Sequence, residues 1–145
     1  MSATGLAVFD HTLHTTNVWL DEISAYVGPD RKLAWKVLAT VLQTLRDELQ
    51  PELAAHLAAQ LPLLVRGAYY EHYQPSRQPR DLVGEGPFLA AIGEKLKDSR
   101  GVAPKLAVAV VFSVLERHVS PGELAKVRNA LRKEIRALWP IERVA

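Results

Sequence analysis

Phe9, Leu13, Leu20, Ile23 and Val27, with Thr16 on the same line, recur at spacings of four and three residues, the stripe of an amphipathic helix that packs on one side. Gly28 and Pro29 end that stripe, and Asp30 offers a short oxygen side chain to cap the next start. A second helix is predicted over residues 31–49. Its apolar set, Ala34, Val37, Leu38, Val41, Leu42, Leu45 and Leu49, is wider than the first and predicts a central position. Pro51 suits the first turn of a third helix, because the donor that proline lacks is free there anyway. Leu53, Leu57, Leu61, Leu64, Val65 and Ala68 continue the period, and Pro62 inside it predicts a kink or restart.

Residues 74–86 show no apolar period and, with the flanking Pro87, hold Pro75, Pro79, Gly84 and Gly86, so they read as the one long connection. A short helix over about 87–97 follows, then helices over 104–119 and 121–139. Ser120 and Glu123 match the Ser-x-x-Glu capping box at the last of these starts. No segment alternates with period two, so no sheet is expected. At an offset of 70 residues the chain aligns on itself from Ala34 to Tyr70 without a gap. Val41 meets Val111, Leu45 Leu115, Pro51 Pro121, Leu61 Leu131, Val65 Ile135 and Tyr69 Trp139. Seven of the 37 pairs are identical, so it is the apolar pattern and the shared proline that carry the match. The expectation is an all-α protein: two tandem helical-hairpin halves, 9–73 and 87–140, packed into one compact bundle-like domain spanning 1–145, with Leu42, Leu45, Leu61, Phe112, Leu115 and Leu131 in its core.

Composition narrows the chemistry. With 48% apolar and 23% charged residues, the 145-residue chain has the make-up of a soluble globular domain. Having no cysteine excludes disulfides, thiolate metal sites and thiol catalysis. The first residues lack a signal-peptide pattern and the longest uncharged run, Leu53 to Val65, is too short to span a bilayer, so a cytoplasmic location and no membrane partner are expected. His11 and His14 share a helix but fall off the apolar seam, and His56, His72 and His118 are scattered; no metal site is expected. Nor is there a phosphate-binding glycine loop, nucleophile elbow or dinucleotide fingerprint, so no catalytic residue and no cofactor is assigned.

The strings LRDEL, AAHLAAQLPLLVRGAYYEHYQP and VFSVLERHVSPGELAKVRNALRKEIRALWP resemble a bacterial family catalogued as Domain of Unknown Function 2267. The resemblance rests on Ala59 to Pro62 and Arg66 to Glu71 in the first half and on Gly122, Glu123, Leu124 and Trp139 in the second, and covers roughly residues 9–140. It implies an all-helical protein and brings no activity with it. Where the family repeats Leu-Pro in its second half, this chain has Leu131 and Arg132, so a straighter last helix is expected.

Two surfaces stand out. Arg66, Tyr70, Glu71 and Tyr73 form the densest polar-aromatic cluster, of residue types that interfaces favour. Tyr69, by its match to Trp139, belongs rather to the core. Gly67 inside that helix suggests the close approach of another backbone, and Asp47 is a candidate ion-pair partner for Arg66. The second surface follows from charge: residues 1–98 carry nine basic against twelve acidic side chains, and 99–145 nine against four. Lys126, Arg128, Arg132, Lys133 and Arg136 lie opposite the apolar residues of the last helix as a cationic face. The reading from sequence is a binding module without catalysis, for a protein partner or for itself as a homodimer. Nucleic-acid binding by the basic C-terminal helix is the alternative, and an unrecognised enzyme the third.

Overall fold

A computed structural model describes residues 2–79, 85–99 and 101–140. Among these it contains eight α-helices, one 3-10 turn and no strand. In chain order they are α1 (Ala7–Val27), α2 (Arg31–Asp47), α3 (Pro51–Ala58), α4 (Leu63–Tyr70), the 3-10 turn Pro75–Arg77, α5 (Glu85–Leu96), α6 (Pro104–His118), α7 (Pro121–Ala130) and α8 (Lys133–Arg136). The protein is all-α.

Local chemistry sets most boundaries. Gly28 takes φ 106°, where a side chain would be strained, and its N–H returns to the Ser24 carbonyl to close α1. Asp30 then accepts from the Lys32 and Leu33 N–H groups, occupying donors that the first turn of α2 leaves free. Proline opens α3, α6 and α7. At α7 the capping box is half made. Ser120 accepts from the Glu123 N–H at 3.4 Å, but the Ser120 N–H donates to Gln60 Oε1 rather than to Glu123. A side chain from the first half thus caps a helix of the second.

Helices α2 and α6 form the centre. Helix α2 packs on α1, α4, α5 and α6, and its buried set runs from Leu33 to Asp47. Exchanging α1 with α5, α2 with α6, α3 with α7 and α4 with α8 turns α1 on α2 into α5 on α6, α1 on α6 into α5 on α2, and α1 on α4 into α5 on α8. The pairs α2 with α6 and α3 with α7 map onto themselves. The exchange is incomplete, since the packing of α2 on α4 has no counterpart of comparable extent in α6 on α8. All six expected core residues, Leu42, Leu45, Leu61, Phe112, Leu115 and Leu131, are buried.

The last helix is not straight. Helix α7 stops at Ala130, Leu131 and Arg132 are extended, and α8 restarts at Lys133. Arg132 (φ −59°, ψ 150°) repeats the backbone of Pro62 (φ −55°, ψ 150°) at the break between α3 and α4. Packing enforces the turn without a proline. Trp139 stacks on Phe112 of α6 with ring centroids 3.9 Å apart, whereas a straight helix would place it about 12 Å beyond Leu131 along the α7 axis. The connection also begins differently from expectation, since Pro75–Arg77 is a 3-10 turn and α5 starts at Glu85; the part of the connection at 80–84 lies outside the described residues.

Candidate functional site

Behind the tyrosine-rich end of α4 lies a buried cation. Arg46, 2% exposed, donates through Nη1 to the carbonyls of Tyr69 (2.6 Å) and Glu71 (2.8 Å), which the end of α4 leaves without helical partners. Its Nε and Nη2 each lie 2.8 Å from Asp47 Oδ1, and Gln78 Nε2 donates to the same oxygen at 3.1 Å. Arg46 therefore joins α2, the end of α4 and the following turn. Asp47 takes this neighbour as its partner rather than Arg66. A buried pair of this kind is held by the completeness of its hydrogen bonds, and removing one member strands the other.

Arg66 points the other way. Its Nε donates to the Ala58 carbonyl (2.9 Å) and its Nη2 to that of Leu61 (3.0 Å), bracing the break between α3 and α4. Tyr69 is fully buried and donates its hydroxyl to the Ala54 carbonyl at 2.8 Å. Burial, with smaller contributions from the neighbouring Tyr70 and Tyr73, drives the Tyr69 hydroxyl well above its ordinary pKa, and burial also raises Tyr73. Tyr73 is half-buried, its ring 4.9 Å from the Arg46 guanidinium carbon, a cation-π contact. Of the four cluster residues, Tyr70 (38% exposed) and Glu71 face outward, Arg66 braces a helix break, and Tyr73 covers Arg46. The structure brings Tyr70 and Tyr73 together, with ring centroids 5.6 Å apart, and sets Arg66 apart from them.

Among the described residues nothing beyond its chain neighbours and its own helix backbone lies within 4 Å of where a Cβ at Gly67 would stand, so no other element packs closely on it. It lies instead in the open outer face of α4, beside the exposed Leu63, Leu64 and Tyr70. Sequence reasoning overlooked the neighbour of this face. The first two turns of α1 cross the start of α4, where Thr12 Oγ1 accepts from the Leu64 N–H at 3.1 Å. There Leu6, Val8, Phe9 and Leu13 are also exposed, although Phe9 and Leu13 begin the apolar seam that Thr16, Leu20 and Ile23 continue into the core. The missed signal was the length of that seam, since α1 is 21 residues long and α5 only 12.

The cationic residues do not share one helix. Lys126 and Arg128 are on α7, Arg132 precedes the restart, and Lys133 and Arg136 are on α8. Lys126 pairs with Glu123 at 3.5 Å. Arg128 pairs with Glu116 and lies over the Trp139 ring, whose Nε1 donates to the same carboxylate at 3.0 Å. Among the described residues no three metal-ligating side chains converge, and no helix is long and apolar enough to cross a membrane.

The fold defines a small all-helical protein. The chain belongs to the family of uncharacterized conserved proteins DUF2267, whose model matches residues 16–138. No curated protein matches it.

Proposed function

We propose that this protein is a protein-interaction module without catalysis, whose docking surface is the outer face of α4 together with the first two turns of α1. The observation that carries this reading is the apolar set left exposed on those two crossing helix ends: Val8, Phe9, Leu13, Leu63 and Leu64, with Tyr70 farther along α4. Contiguous exposed patches of large apolar side chains are uncommon on monomers and mark contact sites. Gly67 lets a partner backbone come close to α4, and Tyr70 supplies a rigid aromatic anchor with Glu71 at its polar rim. Arg66 and Tyr73 serve this surface from behind, by holding the two ends of α4 in place.

A second copy of the chain is the default partner, in which case two-fold symmetry sets the same face against itself. Sedimentation of the wild type over a wide concentration range, beside Leu64→Glu and Tyr70→Ala, tests it. The expected outcome is a mass above 16.1 kDa that falls to the monomer value in Leu64→Glu while its helical circular dichroism is kept. A wild type that stays monomeric, and whose α4 face captures no partner chain through a photo-crosslinker at position 70, overturns the reading.

A further inference from the structure

On the side of the α1–α4 crossing away from the tyrosines lies an open cleft of about 440 Å³. Val8, Trp19, Leu61, Pro62 and Leu63 give it apolar walls, and its polar lining comes from His11, Thr12, Thr15, Gln60, Arg66 and His118. Among the described residues no aspartate or glutamate lines it, whereas Arg66 and two histidines do. The size is that of a site for a small organic molecule.

The half-buried Arg66 guanidinium is the key group. Of its five N–H donors, two are taken by the Ala58 and Leu61 carbonyls, on the Nε and Nη2 side. Both acceptors are neutral, and among the described residues no carboxylate pairs with Arg66. The carbonyls fix the guanidinium in orientation, leave its charge uncompensated and leave the two Nη1 donors and one on Nη2 unpaired. A pre-oriented, partly desolvated guanidinium favours a planar anion that accepts two parallel bonds. A second donor without a hydrogen-bond partner is the Trp19 Nε1–H, on a side chain that is 1% exposed and belongs to the cleft lining. His118 is stacked on Trp19 at 5.4 Å and held by Glu22 at 2.7 Å. Glu22 is shared with Arg117, also at 2.7 Å, and is not part of the lining, so it does not supply the missing negative charge to Arg66.

From this geometry we infer that the cleft binds an amphipathic organic carboxylate, its acid group on Arg66 and its apolar body against Trp19, Leu61, Pro62 and Leu63. Arg136, which corresponds to Arg66, is exposed rather than half-buried.

Titration of the full chain with 4-phenylbutyrate, followed by isothermal calorimetry and by tryptophan emission, tests the inference against two controls on the wild type, 4-phenylbutyramide and acetate. The acid should saturate one site and bind at least about 10-fold more tightly than either the amide, which lacks the charge, or acetate, which lacks the apolar body. Arg66→Gln should abolish the preference for acid over amide. Because Arg66 also braces a helix break, Val8→Trp provides an independent variant that adds bulk at the mouth of the cleft from an exposed position and leaves Arg66 itself unchanged, and it should weaken the acid by a similar factor. Equal binding of acid and amide, no saturation by the acid, or undiminished binding in Val8→Trp each overturns the assignment, whether or not Arg66→Gln folds.

Discussion

Arg46 and Glu116 occupy the same place in the two halves, 70 residues apart, and carry opposite charge. Arg46 reaches up to the carbonyls at the end of α4 and lies under Tyr73, whereas Glu116 reaches up to the Trp139 Nε1–H and to Arg128, which lies over Trp139. In each half a polar group at the end of the central helix latches the aromatic end of the chain segment that folds back over it. The apolar frame beneath is the same in kind, with Leu45 and Leu115, Leu61 and Leu131, and Tyr69 and Trp139 all buried. The frame and the helix break set the fold, while the latch need only satisfy whatever donors or acceptors the local aromatic end presents.

The two latches differ in burial, and the largest expected effect follows from that. Arg46→Ala takes the cation away from the buried Asp47 carboxylate and the donor away from the Tyr69 and Glu71 carbonyls, and it should lower the free energy of unfolding by about 3 to 5 kcal/mol in urea denaturation. Glu116→Ala, at a position that is only partly buried, should lower it by about 1 to 2 kcal/mol. Equal losses would mean that burial does not distinguish them. The frame beneath should respond symmetrically: Leu45→Ala and Leu115→Ala, both fully buried, should each lose about 2 to 5 kcal/mol. A loss below about 1 kcal/mol at both would contradict the burial of the seam, and a large loss at only one would break the equivalence of the halves.

The aromatic pair provides a smaller and more selective test. Tyr69→Phe removes the hydroxyl bond to Ala54 and should lose about 1 kcal/mol at neutral pH. Burial raises the Tyr69 pKa in the folded state, so the unfolded chain loses that proton first, at its ordinary value of 10.0. The stability tied to the neutral phenol is complete below pH 10 and is lost as the pH rises beyond it. Alkaline unfolding followed by phenolate absorbance should therefore move to higher pH in Tyr69→Phe, with the raised Tyr73 retaining part of the dependence. An unchanged alkaline midpoint would show that Tyr69 does not govern it.

Most of the frame was legible in the sequence because it depends on period and on local caps: the stripes of α2 and α6, Gly28, Asp30, and the start of α7 at Pro121. The break at Leu131 was not, because Leu124, Val127, Leu131, Ile135 and Trp139 keep helical spacing straight through it, and only the docking of Trp139 on Phe112 calls for a turn. Composition singled out the tyrosine cluster but not the directions of its side chains. It grouped Arg66 with Tyr70, although Arg66 turns toward the carbonyls of the α3–α4 break and the cleft beyond. The exposure of Phe9 and Leu13 was equally hidden, since a seam records which residues are apolar and not where the partner helix ends.

The smallest effect sharpens the comparison most, because it separates folding from contact. Gly67 of α4 corresponds to Ala137 just after α8, and a Cβ added at Gly67 meets nothing within 4 Å. Alanine restricts the unfolded chain more than glycine does and sits easily in a helix, so Gly67→Ala should raise stability by about 0.5 to 1 kcal/mol, read as a higher midpoint in urea. If the outer face of α4 is a contact surface that uses this gap, the same methyl group should weaken association while it stabilises the monomer. Sedimentation and denaturation would then move in opposite directions for one substitution. A stabilised variant that associates as the wild type does would leave Gly67 outside the contact and confine the docking surface to Leu63, Leu64 and the first turns of α1. A destabilised variant would mean that the backbone at this position is not the open helix seen in the structure.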